Sequence, residues 1–257
     1  MESTITTTWA LTLSAVLVRL AGLFAVGPVL SHAAVPRRLR CFIAIVVALG
    51  VMGRVTVPAV LPEGLAGLLG GLGGELLIGV AIGWAAGVVF VGVELGASHI
   101  AYQMGISLGE VFNPISPGAP GCLRQFFRLL AVVVFLGVGG HRAMLGAVLD
   151  MFRAVPLMSF SPSPAVARTM VLLVAVSFAM GLKVAAAVLV ALLLASVAMG
   201  LLQRSLSQFH ILSVGLPVRA MLALVVLAAS LSALTGLVDA GMTMVLEQVG
   251  VAIRAGQ

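Results

Sequence analysis

A serine nucleophile is the first chemistry that the residue pattern could encode. Residues 105–109 read GISLG and match the G-x-S-x-G pattern of serine hydrolases, with Ser107 as the nucleophile. Such an enzyme also needs an oxyanion hole and a basic partner, for which His141 and His210 are available. No predicted strand precedes the motif, and a chance match is expected in a chain with 30 glycines. The sequence therefore predicts no catalytic residue and no enzyme activity.

Metal and cofactor chemistry has no clearer signature. The four histidines, at positions 32, 99, 141 and 210, show no metal-ligand spacing. Cys41 and Cys122 lie far apart without a C-x-x-C motif, which predicts two buried free thiols. Neither a Walker A sequence nor a G-x-G-x-x-G sequence occurs. We predict no metal site and no bound cofactor, and any energy source must be a partner or an ion gradient.

A row of small residues at a spacing of four predicts close helix packing. Residues at this spacing lie on one helix face, where glycines let a second helix approach closely. The row begins at Gly67. Its predicted helix-packing residues are Gly71, Gly79, Gly83 and Gly87.

Glu75 lies within this row and is its only charge. A charge at mid-bilayer costs at least about 2.5 kcal/mol, so the carboxylate needs a cation or a polar lumen. The candidate cations are Arg19, Arg54 and Lys183. Pairing with one of them is favoured over proton transport.

The composition indicates whether the surroundings of these residues are water or a lipid bilayer. Of the 257 residues, 61% are apolar and 9% are charged, whereas a soluble domain has about 25% charged residues. The mean hydropathy is +1.24, which predicts an integral membrane protein. The net charge of +6 comes from scattered bases without interleaved aromatic residues, which favours lipid headgroups over nucleic acid as partners. Arg37, Arg38 and Arg40 form the densest basic cluster, and the loop 31–40 is therefore predicted to be cytoplasmic, with the amino terminus outside.

The elements that must position these residues are apolar runs. Six runs occur, at residues 9–30, 41–61, 65–93, 125–149, 169–202 and 220–238. The third would reach about 44 Å as a helix and exceeds a hydrocarbon core of about 30 Å, so it must tilt, break or extend beyond the bilayer. The fifth is either one tall helix or a hairpin. We predict an all-α membrane protein with about six helical runs, some tall or broken, a loop at 150–164 and a short polar tail after residue 238.

A stretch rich in glycine and proline, residues 103–121, separates the third and fourth runs. Its three prolines exclude a helix, yet it is too apolar for a well-solvated loop. Irregular backbone at membrane depth is tolerated only where protein buries it or where it lines a water-filled cavity. The stretch is therefore either an external loop packed on the protein or a re-entrant element that faces a passage.

Four stretches, in this order, resemble the FliR family of flagellar type III export-gate proteins. They are GLFAVGPVL after Arg19 with VPRRLR (35–40), GELLIGVAIG (74–83) with ELGASHIAYQMGISLGEVFNP (94–114), GVGGHRAMLGAVLDMFRAVP (137–156), and MGLLQRSLSQFHILSVGLPVR (199–219). The resemblance covers roughly residues 10–240. It implies a multi-pass protein of the bacterial inner membrane and flagellar basal body.

The resemblance also implies partners and an internal division. FliP-like and FliQ-like membrane subunits would join the chain in a helical assembly, together with other export-apparatus proteins, around a conduit for unfolded flagellar subunits. Residues 1–164 look FliP-like and residues 165–257 look like a FliQ hairpin. Ser207 and His210 stand where family members usually have proline and asparagine.

The resemblance places the stretch 103–121 in the lumen as part of a plug that closes the pore. The plug residues are predicted to be Gln103, Met104, Gly105, Ile106, Ser107, Leu108, Gly109, Val111, Phe112, Asn113, Pro114, Ile115, Pro117 and Gly118. Polar contacts between helices or subunits are predicted at Arg19, Glu75, His141, Lys183, Arg204 and Gln208.

The predicted function is that of a core subunit of the flagellar type III protein export gate. One alternative is the closely similar injectisome apparatus, although GGHR (139–142) and the overall spacing favour the flagellar branch. An alternative of another class is a small-molecule or ion transporter that uses Glu75, Glu94 and Lys183. Many such transporters contain internal repeats, and no repeat is found in this sequence.

Overall fold

A computed structural model describes residues 2–28, 31, 35–53, 55, 64–106, 121–160, 164–205 and 211–255. At residues 2–7, 203–205 and 211–214 it describes the backbone alone. Within these ranges the chain is all-α, which confirms the predicted fold class. The helices are α1 (Glu2–Val26), α2 (Arg37–Met52), α3 (Gly64–Met104), α4 (Cys122–Val138), α5 (Gly140–Ala154), α6 (Pro164–Ser205) and α7 (Ile211–Arg254).

Four of these helices are long and apolar enough to cross a membrane. Their apolar segments are Thr8–Val26, Gly64–Met104, Pro164–Leu202 and Gly215–Arg254. A fifth span results if α4 and α5 count as one broken span, with a bend of 64° between them. The bend occurs at Gly139, whose φ of +83° is a left-handed conformation that glycine adopts without a steric penalty. The 16 residues of α2 fall short of the roughly 20 that a span needs.

Several helix ends differ from the sequence-based boundaries. The third run is a single helix of 41 residues, and the fifth is a single helix of 42 residues rather than a hairpin. The predicted loop at 150–164 is shorter at both ends, because α5 continues to Ala154 and α6 begins at Pro164. Proline is favoured at the first position of a helix, where its missing N–H is not needed.

The predicted polar tail after residue 238 was wrong, because α7 continues to Arg254. The charged residues after position 238 lower the mean hydropathy of this segment. Its apolar residues nevertheless recur at a helical spacing of three to four. Those that are buried are Met242, Val245, Val249, Ala252 and Ile253.

The chain forms two compact units, and α3, α6 and α7 each contribute a segment to both. The first unit contains residues 1–88, 139–174 and 242–257, and the second contains 89–138 and 175–241. This grouping by contacts differs from the division into 1–164 and 165–257, which stays a prediction. The core of the first unit includes Val16, Leu20, Leu23, Ile78, Ile82, Met151, Phe152 and Val245.

The second unit has its own core, in which α3 and α4 pack against each other. Phe90 and Phe135 meet edge to face, with ring centroids 5.4 Å apart. This geometry is one of the two that aromatic pairs favour. Other buried members are Ala97, Ile100, Leu123, Phe127, Ala131, Val184, Val188, Leu227 and Leu234.

Candidate functional site

A fully buried ion pair lies at the contact between α1 and α3 in the first unit. Nε of Arg19 donates to Oε2 of Glu75 at 2.5 Å, and neither side chain is exposed. Oε1 of Glu75 accepts the backbone N–H of Met158 at 2.8 Å. Both carboxylate oxygens are therefore satisfied, and the structure pairs Glu75 with one of its three candidate cations. Arg54 lies outside the described residues, and Lys183 belongs to the other unit.

The ion pair also holds the turn that follows α5. Met158 has a φ of +62°, a left-handed conformation that is rare for residues other than glycine. Its N–H bond to Glu75 fixes this turn against α3. On the other side of the pair, Cζ of Arg19 lies 4.3 Å from the ring centroid of Phe152, within the range of a cation–π contact. Nη1 and Nη2 of Arg19 are buried and have no hydrogen-bond partner in the described part of the chain.

Glycines bring α1 and α3 into backbone contact around this pair. A Cβ on Gly79 would collide with the backbone carbonyl oxygen of Arg19. A Cβ on Gly22 would lie 2.6 Å from the carbonyl oxygen of Leu76, and one on Gly83 would lie 2.8 Å from that of Leu23. Backbone atoms cannot move aside as a flexible side chain can, so these positions require glycine.

The other two predicted packing glycines are less constrained. A Cβ on Gly71 would meet the side chain of Met158 at 3.0 Å, and one on Gly87 would meet only the carbonyl oxygen of Val26 at 3.9 Å. The first is a tight contact with Cβ of Met158, which can move by only a few tenths of an ångström, and the second is an ordinary van der Waals contact.

A second glycine crossing, between α3 and α6 in the second unit, was not predicted. A Cβ on Gly92 would lie 2.9 Å from the carbonyl oxygen of Ser177, and one on Gly96 would lie 2.8 Å from that of Gly181. Gly92 and Gly96 repeat the spacing of four, but they are shifted by one residue from the row that ends at Gly87. A row of small residues that is allowed to shift by one position after Gly87 would have predicted this crossing.

Polar contacts between α3 and α4 were also missed. Arg128 Nε lies 3.5 Å from Oε1 of Glu94, and Arg124 Nε donates to the hydroxyl of Ser98 at 3.1 Å. The sequence pattern that could have indicated them is a pair of polar residues spaced four apart on each helix. The pairs are Glu94 with Ser98 on α3 and Arg124 with Arg128 on α4. These helices border the Gly/Pro-rich stretch.

Only the first part of the predicted plug lies within the described residues. Helix α3 ends with Met104 buried, and Gly105 follows with a φ of +77°. Gln103 and Ile106 are exposed. The remaining predicted plug residues lie outside the described ranges: Ser107, Leu108, Gly109, Val111, Phe112, Asn113, Pro114, Ile115, Pro117 and Gly118.

None of the other residues predicted to make polar contacts is shown in contact with the Arg19–Glu75 pair. Lys183 is exposed on α6 beside Ser230 and Phe127, at a cavity of about 80 Å³, and has no ion-pair partner among the described residues. His141 lies in the first turn of α5, with Nδ1 buried and without a partner in the described ranges. Arg204 lies in the last turn of α6 with only its backbone described, and Gln208 lies outside the described residues.

Within the described residues, no cluster of three or more His, Cys, Asp and Glu side chains could hold a metal ion. Cys41 and Cys122 are free, but both are exposed, so the prediction that these thiols are buried was wrong. The chemistry that the described side chains support is ion pairing and close helix packing.

Comparison with known proteins identifies the family. The family model described as "Bacterial export proteins, family 1" matches residues 10–245. The chain belongs to this family. This match confirms the resemblance found in the sequence. The matched residues include those of both glycine crossings, the Arg19–Glu75 pair and the whole Gly/Pro-rich stretch.

Several proteins named FliR are similar to the chain over most of its length. The flagellar biosynthetic protein FliR of Caulobacter vibrioides is 29% identical over 209 residues, which cover 80% of this chain and 82% of that protein. The FliR of Pectobacterium carotovorum is 26% identical over 78% of this chain and 77% of its own length. The FliR of Escherichia coli K12 is 25% identical over the same two shares.

Proposed function

We propose that the chain is a subunit of the flagellar type III protein export gate and has no catalytic role. The observation that supports this most is the export-family match over residues 10–245, together with relatives named flagellar biosynthetic proteins. The resemblance read from the sequence gives the same function. The location would be the bacterial inner membrane, in the flagellar basal body.

The ionisable groups do not favour the transporter alternative. An ion-coupling carboxylate must exchange its ligand during transport, whereas Glu75 is fully buried and both of its oxygens are occupied. Glu94 lies within ion-pair distance of Arg128. Glu75 therefore has no unoccupied oxygen with which to bind a transported ion.

Deletion of the gene in its native host tests the flagellar assignment. We expect cells without motility and without secreted flagellin, and both should return when the intact chain is supplied on a plasmid. Normal flagellin secretion in the deletion strain would contradict the proposal. If motility persists while a different set of secreted proteins is lost, the chain belongs to an injectisome.

Partner subunits are proposed because the helices have more apolar surface than a bilayer can cover. Helix α6 has 42 residues and is about 63 Å long, about twice the hydrocarbon thickness. Only 22% of its most apolar window is buried. Its exposed large residues extend along most of its length: Val171, Leu172, Val174, Phe178, Leu182, Val190, Leu193, Leu194, Val197, Leu201 and Leu202. FliP-like and FliQ-like subunits would cover the apolar surface that lipid does not. Within this chain, residues 1–164 would be the FliP-like part and residues 165–257 the FliQ-like hairpin.

Lys183 is proposed as a contact with such a subunit. It is the only charge in the run 169–202, and no described residue neutralises it. An ammonium group in apolar surroundings needs an anion, so the partner helix would present a carboxylate there. Arg204 and Gln208 are proposed to make similar contacts, and His141 to contact a neighbouring helix.

Copurification of the partner subunits tests the role of Lys183. We expect Lys183→Met to lower their yield at least about tenfold, because truncating one member of a buried charge pair costs about 2–5 kcal/mol. Lys183→Arg should retain them. Leu193→Met, at an exposed position on the same helix, serves as the uncharged control. An unchanged yield with Lys183→Met would refute the contact.

The stretch 103–121 is proposed as part of the plug that closes the conduit for unfolded polypeptides. Its apolar residues would exclude water and ions, and a segment rich in glycine and proline can change conformation at low cost when a polypeptide passes. The positive φ of Gly105 at the end of α3 supports this role, because it stops the helix where the stretch begins.

A further inference from the structure

We propose that a groove between α5 and α7 binds an apolar helix of another subunit, and that this helix carries a basic and an acidic side chain two turns apart. The groove is a cavity of about 510 Å³. All of its lining residues belong to the first unit. The inference rests on the proposed function only in assigning the bound helix to the export gate.

Two helices form the walls of this groove, and each presents one face to it. On α7 the lining includes Glu247, Gly250 and Arg254, and the buried side chains of Ile82 and Met151 complete it. Residues three, four and seven positions apart lie on the same face of a helix. The wall that α5 provides follows this spacing: Ala143, Gly146, Ala147 and Asp150.

The wall on α5 is made mostly of small residues. Three of its four residues are alanine or glycine, and a Cβ on Gly146 would have no neighbouring atom within 4 Å. Small residues let a second helix approach closely where lipid removes the hydrophobic driving force. A flexible acyl chain has no need of such a wall. The small residues therefore favour a helix over a lipid as the occupant.

The charged side chains of the two walls lie at similar heights in the groove. A Cβ on Gly250 would lie 3.6 Å from Cε of Met151, so α5 and α7 face each other there. Asp150 precedes Met151 in α5. Glu247 and Arg254 lie about one turn to either side of Gly250. The groove therefore has a carboxylate toward one end, a guanidinium toward the other, and a second carboxylate near its middle.

These charges are not neutralised within the described part of the chain. Glu247 and Arg254 are exposed, and neither has an ion-pair partner among the described residues. Asp150 lies 3.9 Å from Arg153, but both side chains are more than half exposed, so this pair contributes little. Ionisable groups on apolar spans pair with other groups. A partner with a base opposite Glu247 and an acid opposite Arg254 would complement the groove.

The separation of the charges distinguishes a partner helix from a zwitterionic lipid. Glu247 and Arg254 are seven residues apart, which is about 10.5 Å along the axis of α7. A second helix packed along the groove would match this spacing with a base and an acid that are also two turns apart. In phosphatidylethanolamine only two carbons separate the ammonium from the phosphate oxygen, too few to span two helical turns.

Photocrosslinking in the native host identifies the occupant. The photoreactive amino acid p-benzoylphenylalanine replaces Val251, which lines the groove and is 61% exposed. We expect an adduct with another membrane subunit, in which the crosslinked peptide belongs to an apolar helix with a base and an acid seven residues apart. Val171 provides the matched control position, since it is 71% exposed, belongs to the same unit and does not line the groove.

Charge variants show whether the groove recognises the helix through its charges. Glu247→Arg places like charges opposite each other, and we expect it to lower the adduct yield at Val251 at least about tenfold. Exchanging the identified base of the partner for glutamate should restore the yield. The pattern at Val171 should not change, which shows that the variant still folds. Glu247→Gln removes the charge without repulsion and should lower the yield less; it decides the test if Glu247→Arg does not accumulate.

Three results would overturn the docking proposal. They are a phospholipid adduct or no adduct at Val251, a protein adduct from a segment without the paired charges, and a yield that neither Glu247 variant lowers. Deletion of the gene tests the proposed function separately. Loss of flagellin secretion together with a phospholipid adduct overturns the groove assignment alone. The expected protein adduct in a host whose flagellin secretion does not need the chain overturns the flagellar function and leaves the groove assignment intact.

Discussion

At the scale of single residues, Glu75 connects separate elements of the first unit. Its carboxylate joins three elements: α1 through Arg19, α3 through its own backbone, and the turn after α5 through the N–H of Met158. Replacing a well-made buried pair by apolar groups is often tolerated, whereas removing one partner leaves an uncompensated charge. The pair is therefore a structural requirement in the chain as it stands.

We predict that Glu75→Gln lowers the free energy of unfolding of the purified protein by about 3–5 kcal/mol, because Arg19 would keep its charge in an apolar site. The midpoint of thermal denaturation in detergent measures this. Arg153→Gln breaks an exposed pair and should change stability by less than about 1 kcal/mol. If Glu75→Gln matches the parent in thermal stability, the pair has no structural role.

Gly79 gives a second prediction at this scale. Gly79→Ala should destabilise the protein by about 1–3 kcal/mol, because its Cβ would collide with the backbone of α1. Gly70 lies on the same helix in open space, and a Cβ there would have no neighbouring atom within 4 Å. Gly70→Ala should therefore be neutral or stabilising by about 0.5–1 kcal/mol. Chemical denaturation of both variants provides the comparison, and equal stability would show that the crossing is looser than described.

The sequence indicated the ion pair and the first glycine crossing in part. Glu75 was recognisable because a lone acid in an apolar helix needs a partner. The sequence alone left three cations as candidates for that partner. The N–H of Met158 could not be predicted, since a backbone donor has no residue signature. The crossing at Gly92 and Gly96 was missed because the row of glycines was followed in one register only.

At the scale of helices, the sequence was most informative where runs are uniformly apolar. The tall helices α3 and α6 were expected from their length, although their ends were not. The part of α7 after Val238 was assigned to a tail because mean hydropathy conceals a buried stripe such as Met242, Val245 and Val249. The broken span formed by α4 and α5 depends on one residue, Gly139.

Gly139 therefore gives a prediction about the bend. Gly139→Ala should cost about 1–2 kcal/mol, because a left-handed conformation brings Cβ close to the following carbonyl oxygen. Gly137, two residues earlier in α4, has helical backbone and open space around it, so Gly137→Ala should not destabilise the protein. Thermal unfolding of the two variants separates the effects. Equal midpoints would mean that the positive φ at Gly139 is not required for the bend.

At the scale of the whole molecule, the chain has the properties of a subunit rather than of an independent protein. The most apolar windows of α6 and α7 are 22% buried, although each helix is about twice as long as a hydrocarbon core is thick. Hydropathy alone could not distinguish a lipid-facing residue from one that faces another subunit, because both surroundings are apolar. The proposed partner subunits would cover the surface that lipid leaves uncovered.

The stretch between α3 and α4 is proposed to close a conduit for exported polypeptides. Deletion of residues 109–118 in the native host tests it most directly, with leakage of small solutes, secreted flagellin and assembly of the protein measured together. A variant in which a Gly/Ser linker of equal length replaces these residues shows whether their apolar side chains or only their length matters. We predict that both variants assemble and leak. A tight membrane with unchanged export in an assembled variant would show that the stretch is an ordinary loop.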